Sequence, residues 1–332
     1  MSTAERPAGA TAGATMGGTT DTRERRAPGL VPVTESLRTA ERHPVEPAAV
    51  PPLPPAQGRR WPFLRLLRSE LGLTFRRPRN LVMLGVLALV PVILGVVLRA
   101  IGADGGEGGM GGLLTATLGN SLMLTFFALS ILTTLLMPIA VSVVAGDAIA
   151  GEAGAGTLRY LLAAPAGRTR LLAVKFANAA LFSVAVTAVV ALSALVVGLI
   201  LFPAGPVTLL SGTTIPMAEG LVRILVAVGY VSAGMAALAA VALALSTFTE
   251  APIGAIAATL VLIIVTQVLR VIPQLDFLGP YLLPTWWNGF DGVLRTPIDT
   301  GELSSGLLAF CAYIVLSLSI AWARFTGKDI TS

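Results

Sequence analysis

The sequence is poor in the side chains most enzymes use. Its 332 residues include one cysteine, Cys311, one histidine, His43, and two lysines, Lys175 and Lys328. A single cysteine excludes an intrachain disulfide. A single histidine excludes an HExxH metal site. Because His43 lies in a polar stretch, it also leaves no imidazole for a Ser–His pair inside an apolar segment. Charge is scarce too: 12% of residues are charged, where a soluble domain carries about 25%. No phosphate-binding loop is present, because Gly327-Lys328 is followed by Asp329 and Trp322 stands where the first glycine is needed. Acidic residues fall in loops or at the ends of apolar runs, so neither an aspartyl dyad nor a mid-membrane ion path is visible. The chain is therefore expected to be no enzyme, with no cofactor and no metal site of its own.

Apolar residues, by contrast, make up 55% of the chain. Six runs, at 81–101, 122–146, 171–202, 221–248, 253–272 and 304–323, are long enough to cross a bilayer as helices. The expected fold is an all-α, polytopic bundle of about six transmembrane helices over 81–323. Pro91 and Pro138 fall inside the first two runs, where they can kink a helix. Residues 1–58, ending in Val50-Pro51-Pro52-Leu53-Pro54-Pro55, lack hydrophobic periodicity and predict a disordered tail. That tail is not expected to be a secretory signal, since no apolar core follows its start. Over 59–80 the pattern changes. Trp61, Leu64, Leu67, Leu71 and Phe75 recur at helical spacing, Arg65, Arg68 and Ser69 fall on another face, and Arg76, Arg77 and Arg79 follow. This predicts an amphipathic helix lying in an anionic interface.

The basic residues set an orientation. Seven arginines lie between Arg59 and Arg79, three more (Arg159, Arg168 and Arg170) follow the second run, and Arg324 and Lys328 lie in the C-terminal tail, 324–332. With an even number of spans, both termini are expected in the cytoplasm, in the plasma membrane of a bacterium. Arg99, Arg223, Arg270 and Arg295 fall on the other side, several at helix ends where they can snorkel. Because the net charge of +5 sits beside span ends, membrane lipid is the expected partner of these charges and nucleic acid is not.

The loop after the second run, 147–170, carries the most specific pattern. It holds Asp147 and Glu152, then Gly156-Thr157-Leu158, Arg159, a leucine pair ending at Leu162, Pro165 and Arg168. Thr157 can cap a short helix that Pro165 ends. Leu158, Leu161 and Leu162 give it one apolar stripe with Arg159 and Arg168 at the rim, suited to a groove in a soluble partner. A surface helix on lipid, with ordinary inward-retained arginines, has the same pattern.

The acidic pair, Gly156-Thr157-Leu158, the paired leucines, Pro165, Arg168 and the Lys175-Phe176 that opens the next run together resemble the type-2 ABC transporter permease family. The basic helix before the first run is similar to that family's elbow helix, and Phe325-Thr326-Gly327-Lys328-Asp329-Ile330 to its common ending. The resemblance covers about residues 60–332. It implies a permease subunit, an exporter by family analogy, working with a separate ATPase subunit that binds the ATP. It further implies a second permease copy or a related permease in the working unit. By the same resemblance, Asp147, Glu152, Gly156, Thr157, Leu158, Arg159, Leu162, Pro165 and Arg168 form the ATPase-coupling loop, and 273–303 corresponds to outer re-entrant helices. A secondary transporter or channel without an ATPase, or a membrane scaffold, are the competing classes. Trp286 and Trp287 read as an interfacial aromatic belt, with the shaping of an outer gate as the alternative. Gly254/Ala258 and Ser232/Ala236 read as small pairs for close helix packing, within one protomer in preference to a dimer seam, with both left open.

Overall fold

The computed structural model describes residues 62–103, 120–156, 167–209 and 212–327. The tail 1–58, the ending 328–332 and most of the predicted coupling helix lie outside them. The chain is an all-helical, multi-pass membrane protein with six helices long and apolar enough to cross a bilayer. In order these elements are α1 (Pro62–Arg76), α2 (Pro78–Ala103), α3 (Met123–Thr134), α4 (Leu136–Gly154), α5 (Arg168–Leu201), α6 (Met217–Ser246), α7 (Pro252–Val271) and α8 (Thr300–Gly327). A two-residue antiparallel pair, β1 (Val207–Thr208) with β2 (Thr214–Ile215), closes the α5–α6 connection.

The first boundary follows from Pro78. The carbonyl of Thr74 would take its helical hydrogen bond from the N–H of residue 78, which proline lacks. The chain stops being helical at Arg77, and the Asn80 side-chain amide donates to the Thr74 carbonyl instead, at 2.8 Å. Thus α2 starts at Pro78, three residues before the apolar run, and the helix expected over 59–80 is, among the described residues, α1 at 62–76.

Pro138 does the same to the second span. It leaves the carbonyl of Thr134 without a helical donor, and the helix breaks at Leu135 (φ −139°, ψ −57°). The single span expected over 122–146 is therefore two helices, one of 12 residues and one of 19. The second continues to Gly154, beyond the expected end. Gly156, at φ +70°, ends it in the left-handed conformation that glycine accepts.

α6 is the axis. It packs on α4, α5 and α8, and 67% of its apolar window is buried, against 17% for α7. Its run of alanines, with Gly234 against Phe310 and Trp287, lets neighbouring backbones approach. Another close approach is at Gly198 of α5, where a Cβ would overlap the Ser121 carbonyl. The Gly254/Ala258 pair lies exposed on α7, so that pair does not pack within the protomer as expected, whereas Ser232 is buried.

The α7–α8 connection folds into three short 3-10 turns, Pro273–Tyr281, Leu283–Trp286 and Gly289–Leu294. It packs against α6, α7 and α8. Tyr230 of α6 donates to the Trp286 carbonyl at 2.8 Å and its ring lies 5.2 Å from that of Phe310. Trp287 is buried in the main core, which corrects its assignment to an interfacial belt: the connection dips into the bundle and carries the indole with it. Arg223 is buried as well and does not snorkel. It pairs with Glu219 at 2.7 Å and donates to the carbonyls of Val293 and, at 2.9 Å, Arg295.

Asp291 in the same connection has its carboxyl pushed up to about 6, first by burial and then by the nearby Glu302, with Arg295 opposing. The folded state therefore holds a proton that the unfolded chain has already released. The resulting stability is complete below about pH 4 and is lost as pH rises through about 6. Wild type minus Asp291→Asn stability, followed by denaturant titration from pH 4 to 7, is expected to fall across that window. A flat difference would show the carboxyl to be unperturbed.

Candidate functional site

A charged cluster lies where α1, α2, α4 and α5 meet at one end of the bundle. α5 has 34 residues, about 51 Å at 1.5 Å per residue, well beyond a hydrocarbon core of about 30 Å. It is long enough for the turns that carry ionised groups to lie outside the hydrocarbon. Lys175, on the second turn, is only 5% exposed; its ammonium bonds Glu70 of α1 at 2.8 Å and also Glu152 of α4. Next to it, Arg77 and Arg79 converge on one carboxylate oxygen of Asp147, at 2.8 and 3.0 Å. Asn178, one turn beyond Lys175, donates to the Thr74 hydroxyl at 2.9 Å.

The two ion-pair groups stitch α1 and the α1–α2 joint to the last two turns of α4. Around them is a cleft of about 200 Å³ that includes Leu73, Ala148 and Gly151 in its lining. Phe75 of α1 adds an apolar contact with Phe182 of α5, ring centroids 5.9 Å apart.

A third tie comes from the end of α6. The hydroxyl of Ser246, fully buried, donates to the Gly146 carbonyl at 2.7 Å and accepts from the N–H groups of Ile149 and, at 2.8 Å, Ala150. The usual partner of the Ala150 N–H is that same Gly146 carbonyl. Ser246 is thus inserted into the hydrogen-bond ladder of α4, the arrangement that lets a helix bend. The bonded groups at 146, 149 and 150 bracket Asp147 and precede Glu152, so Ser246 ties the end of α6 to the turn of α4 that carries the first carboxylate.

The sequence placed Asp147 and Glu152 in a loop. The structure puts both on α4, because the helix runs to Gly154, and brings them together with three basic side chains. Gly156 forms the turn after α4. Thr157, Leu158, Arg159, Leu162 and Pro165 lie outside the described residues. Arg168 opens α5, and only its backbone is described. Glu70, Lys175 and Ser246 were not recognised as one site. Lys175 had a usable signal, a buried-span cation close to two carboxylates in order of sequence; Ser246 had none, since a serine near a span end is commonplace.

Among the described residues no group of acidic, cysteine or histidine side chains could hold a metal ion. What the cluster can do is mechanical. It joins the two helices flanking the segment 155–167 to each other and to α1 through the largely buried Lys175 bridge, whereas the Arg77 and Arg79 side chains on Asp147 are half-exposed.

Residues 113–331 match the family described as protein of unknown function (DUF2705). No curated protein matches the chain.

Proposed function

The chain belongs to the DUF2705 family, and we propose that it is the membrane-spanning permease subunit of an ATP-driven transporter. In this reading an ATPase subunit docks on the cytoplasmic segment between α4 and α5. The observation that carries it is the Glu70–Lys175–Glu152 bridge beside Arg77 and Arg79 on Asp147. A push on the segment 155–167 reaches α4 at Glu152 and α5 at Lys175, and is passed to α1 through Glu70. The Ser246 insertion gives α4 a place to flex, so displacement of its last turns need not shear the whole span. The basic flanks support a cytoplasmic placement of this end, and α1 then lies in the inner interface as the elbow. The working unit holds a second permease copy or a related one, and the direction is export.

The test uses co-expression with a candidate ATPase subunit. The tagged protein is expected to co-purify that ATPase and alter its hydrolysis rate, and Arg159→Glu with Leu162→Asp is expected to abolish both while the permease still elutes as a folded species. Recovery and rate unchanged by these substitutions would end the coupling assignment. Labelling of a cysteine introduced at position 159 by an impermeant reagent in intact cells would end it too.

A further inference from the structure

The α5–α6 surface carries an apolar groove that neither the charged cluster nor the coupling reading uses. Its volume is about 660 Å³, within the span of about 300–1,000 Å³ seen for small-molecule sites. Small side chains leave the space: Ala177 and Ala180 from α5, and Gly229, Ala233 and Ala236 from α6. A Cβ built on Gly229 would meet nothing within 4 Å.

Ser232 is the one polar side chain among the ten residues that line the groove. It is 6% exposed, and its hydroxyl has no hydrogen-bond partner among the described residues. The buried hydroxyls of Ser183, Thr187 and Thr259 each donate to the carbonyl four residues before them; that of Ser232 does not. Its depth follows from the length of α6. The span Met217–Ser246 has 30 residues, and every stretch of about 20 within it, one bilayer crossing, contains 227–236. Ser232 therefore lies at hydrocarbon depth, where an unbonded hydroxyl is costly and no water supplies the missing bond.

Size and chemistry select the occupant. A second copy of the chain needs about 20–30 residues a side for a stable interface, at least twice the number that line this groove. A phospholipid keeps its ester oxygens at the interface and offers only hydrocarbon at the depth of Ser232. None of the ten lining residues is ionisable, so a charged group has no counter-charge there. We infer that the groove binds a neutral lipophile whose hydroxyl or carbonyl oxygen bonds to Ser232 and whose chain lies between α5 and α6. The inference concerns binding to this chain alone and is independent of ATPase docking.

The full chain in phosphatidylcholine nanodiscs is titrated with diheptyl ketone, with pentadecane and with laurate, and bound ligand is counted by native mass spectrometry. The ketone is expected to bind about fivefold more tightly than the alkane, the weight of one neutral hydrogen bond, and laurate more weakly than the ketone. Ser232→Ala removes no bond of the fold and is expected to erase the difference between ketone and alkane. The infrared carbonyl stretch of the bound ketone, lowered by its hydrogen bond in the wild type, is expected to return to its free position in that variant. Gly229→Leu, for which the space is open, is expected to fill the groove and abolish binding of both. Ketone affinity unchanged in either variant, or laurate bound as tightly as the ketone, overturns the inference. So does a dimer that Gly229→Leu separates, which makes the groove a seam between copies, or a retained phosphatidylcholine that Gly229→Leu releases, which makes a lipid tail the occupant.

Discussion

Lys175→Met is expected to destabilise the folded protein by about 3–5 kcal/mol, the cost of removing one partner from a buried ion pair. The substitution conserves most of the apolar stem, so packing changes little. It leaves Glu70 and Glu152, from α1 and α4, next to each other with no ammonium between them. The triple variant Lys175→Met, Glu70→Gln, Glu152→Gln is expected to recover most of the loss, because neutral amides in the same volume no longer repel. Denaturant midpoints in one detergent, for the wild type, single and triple variants, check both statements. A single variant that unfolds with the wild type, or a triple variant no better than the single, would show that the cluster is not held by charge. The comparison also bears on the coupling reading, since a bridge of small energetic weight transmits little force between α1 and α4.

Arg223→Met is expected to release the α7–α8 connection from α6 at a cost of about 3 kcal/mol. The guanidinium supplies donors to two backbone carbonyls of that connection, those of Val293 and Arg295. Methionine fills the space and supplies none, so the carbonyl of buried Val293 loses this donor, as does that of the exposed Arg295. Limited proteolysis within 273–299 is expected to accelerate by about a hundredfold, the factor that matches such an energy. Arg223→Lys should restore only part of the protection, because an ammonium cannot fork between two carbonyls and Glu219 as a guanidinium does. Cleavage at the wild-type rate in Arg223→Met would assign the docking of the connection to Tyr230 and the apolar contacts alone.

Much of the fold was legible before any coordinates. The six apolar runs gave the spans because a bilayer demands about 20 apolar residues per crossing and leaves no other way to satisfy the backbone. The helix before the first span followed from apolar residues at helical spacing, and Pro78 marks its end. The proline in the second span was visible too, but its consequence was not. A proline in a membrane helix can kink it or break it, and the outcome depends on whether another element supplies a donor to the freed carbonyl. Gln267, 133 residues from Thr134 in sequence, is that donor.

The candidate site divides in the same way. Asp147, Glu152 and Lys175 were read as marks of a loop and a span opening, since residue order gives charge and spacing but no neighbours. That Lys175 lies between Glu70 and Glu152, that two arginines share one oxygen of Asp147, and that Ser246 enters the ladder of α4 are facts about helices brought side by side. The sequence by itself determined which segments are long and apolar enough to leave water, because burial of apolar length is a local sum over consecutive residues. Only the tertiary structure decided which ionised groups meet and where a span yields, because those depend on the lateral packing of helices far apart in the chain.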